Sequence, residues 1–191
     1  DLEAALDAVR RSSESSWWEW DQGSRPFHWR WPEFYQETIR DGLKVHFVGK
    51  APVYQVPQGD TKDPEQKAAV IKKLTTVRAR GYIGMALVIS LTSYFAVQKG
   101  LFDIRMVCNG TISGLNDAVW VPRFWLPTVY TFLRMVHYNS WMSDLDVGEM
   151  FLNFMLHVSL RPYCGVDLTP HFPEEAARAG GKLIAAWYRA G

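Results

Sequence analysis

The spacing of apolar residues turns from helical to strand-like after residue 80, and that change restricts the fold more than any other feature. Between Asp63 and Arg80, Val70, Leu74 and Val77 recur at helical intervals and define one apolar stripe. Asp63 suits the N-cap, Pro64 the first turn, and Gln66 completes a capping-box pattern, so a helix is expected over residues 63–80. Lys67, Lys72, Lys73, Arg78 and Arg80 decorate the rest, which reads as a solvated face in preference to a phosphate-binding one. From Thr92 the pattern becomes β-like. Thr92–Val97 and Ile104–Cys108, joined through Gln98-Lys99-Gly100, predict the two strands of a hairpin. A long amphipathic helix leading into antiparallel strands predicts an α+β fold.

The flanking signals are shorter. Leu2, Ala5, Leu6 and Val9 predict a helix over Leu2–Val9, and Ser12, Ser13, Ser15 and Ser16 read as a linker. An aromatic arm follows, with Trp17, Trp18, Trp20, Phe27, Trp29 and Trp31 mixed with Arg25, His28 and Arg30. Such an arm can stack on single-stranded bases, but packing into a small cluster is the favoured reading. Residues 1–60 are therefore set apart as an N-terminal arm and 61–191 as the main body. Within these, Pro32 begins a short helix to Arg40 that ends near Gly42, and Val45–Val48 predicts a strand. Leu126-Pro127-Thr128 opens a helix reaching about His137. Ser140–Val147 and Arg161–Leu168 predict strands, and Pro173–Arg189 has a helical pattern weakened by Gly180-Gly181.

Hydrophobic residues make up 48% of the chain, which excludes a mainly disordered protein. The formal net charge of +1 gives no bulk argument for nucleic acid, so any basic surface must be local. Cys108 and Cys164 are far apart in sequence and form no CxxC, which points to small core residues in a reduced, intracellular protein. No apolar run is long enough to span a bilayer, Met85–Leu91 being the best candidate, and no membrane partner is expected. No signal peptide opens the chain, and its start at Asp1 is what a processed product or a fragment of a longer reading frame would have. Asn109-Gly110-Thr111 matches a glycosylation acceptor, but Asn-Gly after a β-rich run reads as a turn.

The chain lacks HExxH, a Walker loop, GxSxG and a zinc-type Cys/His cluster. The stretch that carries chemistry runs from Ser140 through Asp146-Val147-Gly148-Glu149-Met150-Phe151 to Leu160-Arg161-Pro162-Tyr163. An apolar strand delivers Asp146 at its end, glycine permits a sharp turn, and an aromatic follows five positions after the aspartate. This layout suits metal-assisted phosphoryl transfer, since a carboxylate at a strand end holds a divalent cation rigidly. Equally, Asp146 can simply cap the turn that follows it.

That block resembles motif A of the reverse transcriptases. Upstream, Tyr94 to Gly100, Asp103-Ile104-Arg105 to Asn109-Gly110, and Leu115-Asn116 resemble the fingers hairpin of the same family. Leu126-Pro127-Thr128 resembles the Leu-Pro helix that precedes motif A. The four landmarks occur in family order and cover about Thr92 to Thr169. The resemblance implies fingers-like helices and a β-hairpin leading into a partial antiparallel palm sheet. It also implies RNA-directed DNA synthesis within a retroelement, with Mg²⁺ as cofactor and primer-template and deoxynucleotides as partners.

Carried over by residue, Asp146 would bind both Mg²⁺ ions, and Val147 and Glu149 would lie where backbone groups approach metal and triphosphate. Phe151 would exclude a ribose 2′-hydroxyl by sterics, and Lys99 and Arg105 would grip the triphosphate. Taken singly, Phe151 reads as core and Lys99 and Arg105 as solvated hairpin charges. Two departures stand out. Asn109 occupies a position where the family has Asp, and no paired-Asp motif follows Asp146. These 191 residues are therefore expected not to polymerise DNA alone, and an incomplete palm is expected to expose a sheet edge and self-associate. The alternative is a non-catalytic remnant or domesticated module that binds nucleic acid or a protein partner.

Overall fold

The computed structural model describes residues 31–100, 103–121, 123, 125–139, 141 and 150–190. The Leu2–Val9 helix, the serine linker, the aromatic arm before Trp31 and the Ser140–Val147 strand (Trp141 apart) lie outside the described residues.

Helix α1, Glu33–Asp41, starts after Pro32 and stops at Gly42, as expected. Helix α2, Pro64–Ala79, is capped by Asp63, whose carboxylate accepts the Glu65 backbone N–H at 3.1 Å. Its buried residues are Val70, Leu74 and Val77, the stripe read from the sequence. These pack on two small sheets. Strands β2, Ser93–Lys99, and β3, Asp103–Asn109, form an antiparallel hairpin in which Lys99 faces Asp103 and Ser93 faces Asn109. Gly100, at φ 66°, supplies the left-handed residue of its turn. Strands β1 (Ile83–Gly84), β4 (Gly165–Asp167) and β5 (Ile184–Trp187) form a second antiparallel sheet in the order β1-β5-β4. Helix α3 (Leu115–Ala118), helix α4 (Val129–Leu133) and helix α5 (Pro173–Arg178) complete the regular structure. The fold is α+β.

One core joins α2 to the two sheets. Val70, Leu74 and Val77 of α2 meet Ile83, Tyr94, Val166, Leu168, Ala185 and Trp187 from both sheets. The inner face of the hairpin adds Ala96, Ile104, Met106 and Cys108. Alternation along paired strands sends the intervening residues to the other face. Among the described residues, no helix is long and apolar enough to cross a membrane.

Four expectations are corrected. Arg161–Leu168 is not one strand: Arg161–Tyr163 is a 3-10 turn and pairing starts only at Gly165. Pro162 has no N–H to donate and a fixed φ, which disfavours ladder pairing there and suits the start of the 3-10 turn. The C-terminal helix ends at Arg178, because Gly180 and Gly181 take φ of 89° and 98°. The apolar run beyond them becomes β5, the central strand, whose Ala185, Ala186 and Trp187 are buried. The helix opened by Leu126-Pro127-Thr128 spans only Val129–Leu133. Val45–Val48 forms no strand. Phe47 makes an isolated bridge to Val119, and Leu43 one to Leu156.

Candidate functional site

The hairpin register decides where the basic residues go. Val97 pairs with Arg105 and Lys99 with Asp103, so Lys99 and Arg105 are diagonal neighbours on the outer face. Diagonal positions lie about 7–8 Å apart, a span that one polyphosphate can bridge. Both side chains are exposed, and neither joins an ion pair among the described residues. Phe95 and Val97, half exposed, share this face.

The far end of the hairpin is welded to α3. Asn109 Oδ1 accepts the backbone N–H groups of Thr111 and Ile112, both at 3.2 Å. An aspartate at this position would accept the same two bonds. Asn116 N–H donates to the Gly110 carbonyl at 3.1 Å, and Asn116 Nδ2 donates to Thr111 Oγ1 at 2.9 Å. The Asn109-Gly110 and Leu115-Asn116 landmarks thus form one turn, as the Asn-Gly pair predicts.

Phe151 lies in a 3-10 turn, Met150–Asn153, and is 65% exposed, so it is not a core side chain. Just beyond it the chain is pinned on two sides. Leu43 N–H donates to the Met155 carbonyl at 2.6 Å and His157 N–H to the Leu43 carbonyl at 3.1 Å. On the other side Leu156 N–H reaches the Tyr188 carbonyl at 2.8 Å, and Ala190 N–H reaches the Phe154 carbonyl at 2.9 Å. Gly42 permits this approach. At φ 94°, a Cβ built there would lie 2.7 Å from the His157 backbone nitrogen. Asp146, Val147 and Glu149 lie outside the described residues. Among the described residues, no three His, Cys, Asp or Glu side chains come together as a metal ion would require.

The sequence reading missed a buried polar cluster beneath the hairpin. An extended segment, residues 53–61, crosses the free edge of β2. There the Gln58 amide imitates a strand, accepting Tyr94 N–H at 3.0 Å and donating to the Tyr94 carbonyl at 2.9 Å. Gln58 N–H donates to Asp167 Oδ2 at 3.2 Å, and Thr169 N–H donates to Asp167 Oδ1 at 3.0 Å. The Tyr94 hydroxyl carries one proton, which goes to the Asp167 carbonyl at 3.1 Å. The phenol oxygen therefore accepts from His171 Nδ1 at 2.8 Å, leaving Nε2 to accept from Thr61 Oγ1 at 3.1 Å. Burial pushes the His171 pKa down, which favours this neutral imidazole. Burial first, and then the Asp167 carboxylate, push the Tyr94 phenol up. Asp167 is 8% and His171 3% exposed, so the cluster is a lock between segments and not a reactive centre. The one signal for it in the sequence is a charged residue inside the apolar run Gly165-Val166-Asp167-Leu168.

Fold and site together define an α+β domain whose hairpin exposes Lys99 and Arg105 on one face and whose Met150–Asn153 turn exposes Phe151. Neither a scan against known protein families nor a search of curated proteins finds a match for the chain.

Proposed function

We propose that the chain is the fingers and first palm segment of an RNA-directed DNA polymerase, with Lys99 and Arg105 as its triphosphate grip. The observation that carries this reading is the register that sets the two cations on one exposed face. The welded Asn109–Asn116 turn and the exposed Phe151 support it further. Asp146 would be the carboxylate that holds Mg²⁺, neutralising the leaving pyrophosphate and lowering the pKa of the attacking hydroxyl. The protein's own contribution would be charge and position. Arg105 offers a planar fork to phosphate oxygens, Lys99 a point charge, and Phe151 a steric limit at the sugar.

The test reads binding in place of synthesis, because the 191 residues contain no paired-Asp motif. Fluorescence anisotropy would follow labelled primer-template and competing deoxynucleotide across a salt series. Loss of nucleotide affinity by about tenfold or more is expected for Arg105→Ala and for Lys99→Ala. The exposed Lys62→Ala should have no such effect. Binding that ignores salt, or that falls equally in all three variants, refutes the reading.

A second reading, the non-catalytic module binding a protein partner or another copy of itself, is favoured by one observation. Trp120, Trp125, Leu126, Val129, Tyr130 and Trp141 are each more than half exposed, an unusual apolar surface for a chain that works alone. Under that reading the chain sediments as a concentration-dependent assembly, and Lys99→Ala leaves its interactions unchanged.

A further inference from the structure

Arg161 is 4% exposed, yet among the described residues no carboxylate meets it. Its Nε donates to the Leu156 carbonyl at 2.9 Å, its guanidinium carbon lies 4.6 Å from the Tyr188 ring centroid, and Nη1 has no hydrogen-bond partner. The next residue after Tyr188 is a second arginine. Arg189 lies over the Tyr82 ring at 6.0 Å, and its Nη1 makes a long bond, 3.4 Å, to the Asn153 carbonyl. Tyr188 N–H donates to the Tyr82 carbonyl at 2.8 Å, which ties both stacks to one strand pair. Arg189 lines a cleft of about 390 Å³ together with Tyr82, Leu152 and Asn153.

Burying one guanidinium without a counter-charge is costly, and setting a second beside it adds repulsion. Burial lowers the pKa of Arg161, Tyr188 partly opposes this, and the Arg189 charge adds a smaller lowering. The fold therefore keeps two positive charges together where, among the described residues, no negative one balances them. An arrangement that costs stability and is nonetheless built in marks a place where a ligand supplies the missing charge. A phosphate monoester, at roughly −1.5 to −2, matches two guanidinium charges, and a backbone phosphodiester, with its single charge, offers the same acceptor oxygens to one guanidinium fork.

We propose that the cleft lined by Tyr82, Leu152, Asn153 and Arg189 binds a phosphate group, with Arg189 as its direct donor and buried Arg161 supplying the second charge. The site is separate from the hairpin face and does not rest on the polymerase reading. The phosphate belongs either to a nucleic-acid backbone or to a small phosphorylated molecule.

The test is a melting series of the full chain in inorganic phosphate against chloride at equal ionic strength. Phosphate is expected to raise the melting temperature of the wild type and of the remote control Arg178→Gln. In Arg189→Gln, phosphate binding is expected to weaken about tenfold or more. If Arg189→Gln does not fold, Arg189→Lys keeps the charge, loses the fork, and should show a smaller loss in the same direction. A response that is absent in the wild type, or that persists undiminished in the Arg189 variants, overturns the proposal. Titration with a labelled single-stranded oligonucleotide separates the two sources, both of which uphold the site. Affinity lost with Arg189 assigns a backbone phosphate, and unchanged affinity assigns a small phosphorylated ligand.

Discussion

Replacing Tyr94 by Phe removes one oxygen from the centre of the buried lock, and its effect can be worked out atom by atom. The hydroxyl gives its proton to the Asp167 carbonyl at 3.1 Å and accepts from His171 Nδ1 at 2.8 Å. Neither bond can be replaced by water in so enclosed a place, since Tyr94 and His171 are each 3% exposed. In either tautomer one imidazole nitrogen is left facing an aromatic edge. Two lost bonds at a net of about 1 kcal/mol each, with a stranded polar atom costing a similar amount, predict about 2–3 kcal/mol of destabilisation. Urea unfolding followed by the fluorescence of the nine Trp residues measures it, with an unchanged m-value as the sign that only stability moved. A double-mutant cycle with His171→Phe isolates the pair and should give a coupling of at least about 1 kcal/mol. Loss under about 0.5 kcal/mol, or strict additivity with His171→Phe, would refute the assigned geometry. The same lock sets a pH dependence. The folded-state pKa of His171 is depressed, so below the ordinary value near 6.5 the unfolded chain binds more protons than the folded one. The stability contributed by the neutral imidazole is therefore full above that value and is lost as pH falls through the lowered one. His171→Phe should flatten this acid slope.

Gly42→Ala should destabilise by about 2–4 kcal/mol, because the new Cβ meets backbone at 2.7 Å and the residue must hold φ 94°. Thermal melting checks it, and a loss under about 1 kcal/mol would mean that residues 155–157 are not seated on α1's end. Arg78→Ala breaks the 2.7 Å bridge to Glu175 and the stack on Phe172, yet the pair is half exposed, so less than about 1 kcal/mol is expected, shrinking with salt. Burial raises the thiols of Cys108 and Cys164 to about 11 and about 12. At pH 8 both half-buried thiols should therefore react with a disulfide reagent at least about tenfold more slowly in the native chain than after unfolding in urea, and equal rates would contradict the raised pKa values.

The parts of this molecule that were legible in its residues are those governed by near neighbours. Val70, Leu74 and Val77 recur at turn spacing, and Asp63 reaches a backbone amide two residues on, so α2 was readable with its cap. The hairpin was readable for the same reason, since strand alternation and Gly100 act within a few residues. Local pattern misled where a distant partner outweighed it. Leu183 to Trp187 carries no mark that distinguishes a helix from a strand, and became β5 because β1 and β4 border it on both sides. Pro162 held the one local clue that the strand before Gly165 would be short.

For the candidate site, the sequence determined which cations the hairpin carries, and the register decided that Lys99 and Arg105 share a face. The buried groups were a matter for tertiary structure alone. Gln58 meets Asp167 across a separation of 109 residues, and Thr61 meets His171 across 110. A side chain's hydrogen-bonding capacity is written in its identity, but no periodicity records which remote segment will satisfy it. That is settled only when the core excludes water and leaves each polar atom with the partners that the fold has brought within about 3 Å.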